Sequence, residues 1–201
     1  MALRHQGYIE LPAHSGPGGF DHAAVHRASA RVYVAHTSND ALGVIDSAND
    51  RSLYSIPGLA GVAGALVSDE RNLVFTSNRG ENTVGIFTPG DEASINRVNV
   101  GMRPNGLAYH PARNLLLAAN AGDPAVPGSF TVSLVDVAQQ VMTASVPMPG
   151  RTRWALFDPL SDCFYVNIMA PAQIVVIDAA KPAQIASVLD IPAAGPHGLD
   201  L

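Results

Sequence analysis

Short apolar runs separated by turn-forming residues follow one another along the whole chain. In the first repeat they are Phe20–His26, Val32–His36, Leu42–Asp46 and Ser52–Ile56. Clusters of Ala, Ser, Asn and Asp lie between them, as at positions 28–30 and 47–50. Few windows show the 3.6-residue spacing of a helix, and Gly or Pro interrupts most runs within about a dozen residues. The pattern therefore predicts short β-strands joined by tight turns.

The chain also repeats itself. A four-residue phrase recurs as Tyr33–His36, Phe75–Asn78, Leu117–Asn120 and Tyr165–Ile168, so that successive phrases end 42 (78−36), 42 (120−78) and 48 (168−120) residues apart. A period of roughly 40 to 45 residues, with four strand-like pieces in each period, is typical of a propeller blade. The sequence thus predicts an all-β fold, a β-propeller of four-stranded antiparallel blades.

The phase of the repeat predicts how the domain is divided. We expect residues 1–201 to form one incomplete propeller domain. Its parts are a lone outer strand over 3–12, blades over 20–58, 62–100, 104–147 and 152–192, and the start of a next blade over 195–201. Four blades and two partial ones do not close a ring, so we expect an N-terminal fragment of a longer protein. A ring of about seven blades would need on the order of 300 residues.

The repeated phrases resemble a known family. Tyr33–His36 and its three relatives are similar to the tetrapeptide that names the YVTN β-propeller repeat family. The segments GMRPNGLA at 101–108 and GPHGLD at 195–200 resemble the opening of that family's blades. The resemblance is to YncE-like propellers and implies the propeller fold. It leaves the function open, because related propellers include lactone hydrolases, haem-d nitrite reductases, quinoprotein-like domains and surface-layer proteins.

Composition excludes several classes of protein. Of the 201 residues, 47% are hydrophobic and one is Cys, which excludes a disordered chain and a disulfide framework. The net charge of −5 disfavours a nucleic-acid partner, which would need a basic surface. The sequence has no apolar run of the ~18 residues that a membrane helix requires, and its first residues lack the apolar core of a signal peptide. We therefore expect a soluble, cytoplasmic chain whose partner is a small molecule or a protein, with neither nucleic acid nor membrane.

Blade geometry predicts where a binding site would lie. The first strand of each blade lines the central channel, and its start lies beside the end of the second strand. Polar residues that differ from one another stand at these equivalent positions, where a purely structural repeat would be expected to repeat. The predicted ligand-binding residues at this channel mouth are Asp21, His22, His36, Asn78, Asn105, Asn120, Arg151, Arg153 and His197.

Each of these residue types also has a structural interpretation. A polar residue at the start of a first strand, such as Asp21 or His22, can simply hydrogen bond to a neighbouring blade. Arg151 and Arg153, with Arg103, could clamp a carboxylate or phosphate or could form salt bridges between blades. Asn side chains commonly satisfy turns. Trp154 could stack on a planar ligand or pack between blades.

Two functions follow from these residues. The leading hypothesis is a scaffold that binds an unidentified ligand or partner and has no resident cofactor, because no self-sufficient catalytic motif is present. The alternative is a hydrolase of lactonase type, in which a divalent metal or a set of His and Arg residues at the channel mouth polarises a lactone carbonyl. Asp21, His22 and His197 are the weak candidates for metal ligands. The resemblance also leaves a redox propeller, with His22, His36 or His197 as an axial ligand, as a third family-level alternative.

Overall fold

The computed structural model describes residues 4–200, and within them the chain forms four antiparallel sheets of four strands each. In the first two sheets the strands are β1 (Phe20–His26), β2 (Arg31–His36), β3 (Ala41–Asp46), β4 (Arg51–Ile56), β5 (Val62–Ser68), β6 (Leu73–Asn78), β7 (Thr83–Phe87) and β8 (Asn96–Asn99). In the other two they are β9 (Pro104–His110), β10 (Leu115–Asn120), β11 (Thr131–Asp136), β12 (Val141–Pro147), β13 (Thr152–Asp158), β14 (Cys163–Ile168), β15 (Gln173–Asp178) and β16 (Ser187–Asp190). Strands that follow one another in a sheet are hydrogen bonded to one another, as in a blade.

The turns between the first and second strands of the blades share one backbone conformation. Ala30, Asn72, Asn114 and Asp162 stand at equivalent positions, with φ of 51°, 52°, 51° and 54°. Asn and Asp tolerate this left-handed region better than other residues with a side chain, because their short polar groups can hydrogen bond locally. The repeated turn therefore gives each blade the same tight reversal.

The sheets pack face to face around inner strands that line a common channel. Strand β1 packs on β5, β5 on β9, and β9 on β13, which sets the four sheets side by side in chain order. A hydrophobic core lies between each neighbouring pair, centred on Tyr33 and Leu42, on Phe75 and Leu116, and on Leu117 and Phe164. Full burial of one such side chain contributes roughly 1.5–3 kcal/mol. Burial between sheets therefore holds the blades together, and the predicted all-β blade architecture is confirmed.

Two terminal segments differ from the expectation. Residues 4–12 and 195–200 form no strand, although the sequence predicted an outer strand over 3–12 and the start of a first strand over 195–201. Residues 3 and 201 lie outside the described residues. A strand requires a neighbouring strand to hydrogen bond with, and neither segment has one in the part of the chain that the structure describes.

Helical structure within residues 4–200 is confined to 3-10 turns of three residues. None of these turns has the length or the apolar character needed to cross a bilayer.

Candidate functional site

The strand register brings the predicted channel-mouth positions together. The first residue of each inner strand pairs with the last residue of the second strand, as Phe20 does with His36 and Pro104 with Asn120. The next residues along the inner strands, Asp21, Asn105 and Arg153, therefore lie at equivalent places at one end of the channel. We call this end the mouth.

Arg79 connects the first three blades at the mouth. Its Nη2 donates a hydrogen bond to Asp21 Oδ2 over 2.9 Å and a second to Asn105 Oδ1. Asp21 lies in β1 of the first blade, Arg79 follows β6 of the second blade, and Asn105 lies in β9 of the third blade. The side chains of Arg79 and Asp21 are 28% and 25% exposed, so this charge pair is partly withdrawn from water.

Arg79 is not among the ligand-binding residues that the sequence predicted. A signal was present: the residue after the second strand is Thr37, Arg79, Ala121 or Met169 in the four blades, and only one of them is charged.

Three further arginines act electrostatically on this group. Burial lowers the pKa of Arg79, Asp21 raises it, and the charges of Arg103 and Arg151 lower it again. Burial likewise lowers the pKa of Arg153, and Arg151 and Arg79 lower it further. Arg103 and Arg151 therefore lie within electrostatic range of Arg79, Arg79 and Arg151 lie within range of Arg153, and Asp21 forms a salt bridge with Arg79. The arrangement favours a negatively charged group at the mouth.

The arginine donors at the mouth are not all used. The Nε atoms of Arg151 and Arg153 are buried and have no hydrogen-bond partner. Arg153 uses Nη2 in a 3.1 Å contact with the sulfur of Met169, a weak acceptor. A buried donor without a partner is costly, and an oxyanion with several acceptor lone pairs would satisfy it.

His22 and Trp154 form the layer below the arginines. They follow Asp21 and Arg153 in the inner strands, and their ring centroids lie 4.0 Å apart with the ring planes at 41°. His22 is 8% exposed, and its Nε2 lies 3.4 Å from Asp21 Oδ1 without a hydrogen-bond partner. Burial lowers the pKa of His22; Asp21 opposes this effect, whereas Arg79 and His197 add to it. The imidazole is therefore neutral near neutral pH.

A cavity of about 440 Å³ continues along the channel from these two rings. Small and aliphatic side chains of the inner strands dominate its lining, among them Ala23, Ala65 and Leu107. Gly64 and Gly106 allow the inner strands to come this close, because a Cβ at Gly106 would overlap the carbonyl oxygen of Arg153. Ser68 and Asp200 also line the cavity, so its aliphatic surface comes from the inner strands and not from the whole wall.

His197 lies near this group but is held differently. His197 is exposed, and its backbone carbonyl oxygen accepts a 3.3 Å hydrogen bond from Asn167 Nδ2. Its charge lowers the pKa of His22, which places the two imidazoles within electrostatic range of each other.

The remaining predicted residues make their side-chain hydrogen bonds with partners other than the arginines. Asn78 Nδ2 donates to Thr83 Oγ1 over 3.0 Å, and Asn120 Nδ2 donates to Thr131 Oγ1 over 2.9 Å, so each stabilises the hairpin of its own blade. His36 is buried, and its Nε2 lies 2.9 Å from Nδ1 of His14. These second-strand ends stand at the predicted positions, but their hydrogen bonds are made within hairpins or with the N-terminal segment.

Within residues 4–200, no three His, Cys, Asp or Glu side chains come together in a group that could hold a metal ion. Asp21 and His22 are adjacent, but Arg79 occupies one carboxylate oxygen of Asp21. The arginine charges also disfavour a cation at this end of the channel.

Known proteins show the fold of this chain. It is similar to a solved structure of hydrazine synthase from Kuenenia stuttgartiensis, with a TM-score of 0.76 and 14% sequence identity. The chain has a β-propeller fold. The similarity covers 92% of this chain and 53% of the other, so the propeller chain spans about half the length of that protein. At this level of identity the likeness shows the fold alone. No family model and no curated protein matches the sequence.

Proposed function

We propose that this chain is a YVTN-type β-propeller scaffold that binds a small oxyanion, a carboxylate or a phosphate, at the mouth of its channel. The repeated phrases that end at His36, Asn78, Asn120 and Ile168 support the YVTN assignment. The observation that carries the binding proposal is the group of arginines around the salt bridge of Arg79 with Asp21, in which the Nε atoms of Arg151 and Arg153 are buried without an acceptor among residues 4–200.

Geometry supports an oxyanion over other ligands. The guanidinium group presents several N–H donors in one plane and matches the two or three oxygens of a carboxylate or phosphate. Asp21 and Asn105 hold Arg79 in a fixed orientation, so less side-chain entropy is lost when an anion binds. The buried Nε groups of Arg151 and Arg153 supply further donors that have no partner within residues 4–200.

Calorimetric titration with inorganic phosphate and with acetate tests this proposal. We expect saturable binding by the 201-residue chain that weakens as salt is added, because the site is partly exposed. Arg79→Gln should weaken binding by roughly 10- to 100-fold, the effect of losing a charged hydrogen-bond donor. The matched control is Arg113→Gln. Arg113 lies in the turn after β9, away from the mouth, and forms a salt bridge with Asp162. Equal effects of the two substitutions would contradict the proposal.

One observation favours a second candidate, a hydrolase of lactonase type. His22 has a lowered pKa and a buried Nε2 without a hydrogen-bond partner, the properties of a general base that is neutral near pH 7. Arg79 would polarise the lactone carbonyl, and His22 would take a proton from the attacking water. The ring C–O bond would then break, and the leaving alkoxide would receive that proton from His22. The test is turnover of a five-membered lactone, with His22→Gln expected to abolish it. Turnover that is unaffected by this substitution would remove the hydrolase candidate.

A further inference from the structure

The apolar cavity beside the arginines limits which anions fit this site best. Along β1 and β13, the mouth residues Asp21 and Arg153 are followed by His22 and Trp154 and then by further residues that line the cavity. The charged group and the aliphatic part of the wall are therefore neighbours along these two strands. A phosphate or acetate ion would bind at the arginines and leave the cavity empty.

The size and lining of the cavity fit a compact organic group. Its volume of about 440 Å³ lies in the range of small-molecule sites. Ala23, Ala24 and Ala65 leave room that larger side chains would fill, and Leu107 and Leu156 add aliphatic surface. The indole of Trp154 and the imidazole of His22 contribute flat aromatic surface at the end nearest the mouth.

The buried His22 adds an independent polar observation. Its side chain is more than nine-tenths buried, it lines the cavity, and its Nε2 has no hydrogen-bond partner. A buried polar atom without a partner is costly, so a ligand that passes this layer would relieve part of that cost.

From these observations we infer that the ligand is an amphipathic oxyanion, with a carboxylate or phosphate head at the arginines and an aryl or alkyl body in the channel cavity. The inference rests on the proposed anion site and specifies its ligand class. Arg79 and Arg153 bind the head. The rings of His22 and Trp154 contact the nearest part of the body, and the aliphatic side chains of the cavity, Ala23 and Leu107 among them, contact the rest.

The test compares five probes on the same protein. Acetate and inorganic phosphate carry the head alone, 4-phenylbutyrate and phenyl phosphate carry head and body, and 4-phenylbutan-1-ol carries the body alone. Trp154 is the only tryptophan of the chain, so its fluorescence reports directly on the layer below the arginines. Calorimetry gives the affinity of each probe.

We expect 4-phenylbutyrate to bind at least 10-fold more tightly than acetate and to change the emission of Trp154, whereas acetate leaves the emission nearly unchanged. Burial of each methylene increases affinity roughly fourfold, so several buried carbons exceed this threshold. Phenyl phosphate should exceed inorganic phosphate in the same way if the head is a phosphate. The alcohol should bind more weakly than either organic anion.

Ala23→Leu separates the cavity from the mouth. Ala23 is exposed on β1 and lines the cavity, so the larger side chain would occupy the body's space without disturbing a hydrophobic core. It should weaken 4-phenylbutyrate binding at least fivefold and leave acetate binding unchanged. Ser145→Leu on the outer strand β12 is the matched control, because it adds the same side chain at an exposed site far from the channel. Thermal unfolding followed by circular dichroism checks that both variants remain folded.

The outcomes distinguish the two proposals. Arg79-dependent binding of acetate or phosphate, with no gain from the phenyl body, would overturn the amphipathic ligand and leave the oxyanion site standing. Binding of the alcohol alone, with no binding of any anion, would overturn both. A gain from the phenyl body that Ala23→Leu does not reduce would also overturn the inference, because the body would then lie outside the cavity.

Discussion

The two ends of the channel carry charged residues that are used in different ways. At the end opposite the mouth, which we call the turn face, charged and polar side chains of one blade contact the next blade. Arg71 donates to the carbonyl oxygen of Pro111 over 2.9 and 2.7 Å, and His110 and Arg113 contact the two carboxylate oxygens of Asp162 over 2.8 and 2.9 Å. Each of these three side chains has a hydrogen-bond acceptor in the neighbouring blade.

At the mouth, the same kind of residue is left without such partners. Arg79 pairs with Asp21, but the Nε atoms of Arg151 and Arg153 are buried without an acceptor. Neighbouring blades approach there through backbone contacts at Gly64 and Gly106 and not through a series of ion pairs. Charges with partners hold blades together, whereas cations without partners indicate a ligand. This difference, more than the number of polar residues, distinguishes the functional end of the channel.

The largest effect should come from closing the space between inner strands at the mouth. In Gly106→Ala, the new Cβ would overlap backbone atoms of Arg153 and Ala155, which side-chain rotation cannot relieve. Overpacking of this kind costs about 3 kcal/mol of unfolding free energy. Urea denaturation measures the loss.

The control for this substitution is Gly19→Ala, because a Cβ at Gly19 meets no atom within 4 Å. It should change the unfolding free energy by less than about 0.5 kcal/mol. Equal stability of the two variants would mean that the inner strands can separate at the mouth at little cost.

A second substitution tests whether the turn face is purely structural. His110→Ala removes a ring that stacks on Phe157 with centroids 4.2 Å apart, together with a hydrogen bond to Asp162. We expect a loss of about 2 kcal/mol of unfolding free energy, from the aromatic contact and the charged acceptor combined. Phosphate binding at the mouth should stay unchanged. Weaker phosphate binding in this variant would show that the two ends are coupled.

A smaller effect is expected from changing the salt bridge between Asp21 and Arg79 at the mouth. Asp21→Asn removes a negative charge beside the proposed anion, while the amide oxygen can still accept the hydrogen bond of Arg79. We expect phosphate affinity to rise by roughly fivefold, an effect of about 1 kcal/mol at this partly exposed site. The substitution Asp162→Asn on the turn face is the control and should leave affinity as it is. A loss of affinity in Asp21→Asn would instead mean that the carboxylate itself contacts the ligand.

The repeat explains why the fold was predictable. Strand positions follow from local alternation and turn residues, and the predicted third strand Leu42–Asp46 differs from the observed Ala41–Asp46 by one residue. The equivalence of Asp21, Asn105 and Arg153 also follows from the repeat, because every blade has the same register.

The side-chain contacts of the site were not predictable in the same way. Arg79 and Asp21 are 58 residues apart, and their pairing depends on how far a long side chain reaches across two blades. The rings of His22 and Trp154 likewise join the first and fourth blades; the repeat makes their positions equivalent, but it does not say that the two side chains meet. Asn78 and Asn120 lie at the expected second-strand ends, but the repeat does not show that their amide nitrogens donate to the hydroxyl groups of nearby Thr residues within their own hairpins. Contacts that break the repeat need the folded structure.

The smallest expected effect is a dependence of stability on pH that originates at the mouth. Burial, Arg79 and His197 lower the pKa of His22 in the folded protein, and Asp21 only partly opposes them. The unfolded chain therefore binds a proton at His22 more readily, with an ordinary pKa of about 6.5. As pH falls through that value, the proton favours the unfolded state, so stability decreases on the acid side and is unaffected well above it. Urea denaturation at pH 7.5, 6.5 and 5.5 should show this decrease, and His22→Gln should make it shallower.

An anion at the mouth should reduce the same pH dependence. A bound phosphate places negative charge near His22 and raises the pKa of its imidazole, so the folded state accepts the proton at a lower cost. By linkage, phosphate should then bind more tightly as His22 becomes protonated, and this gain should be absent in His22→Gln. Phosphate that stabilises the wild-type protein equally at all three pH values would place the anion away from His22.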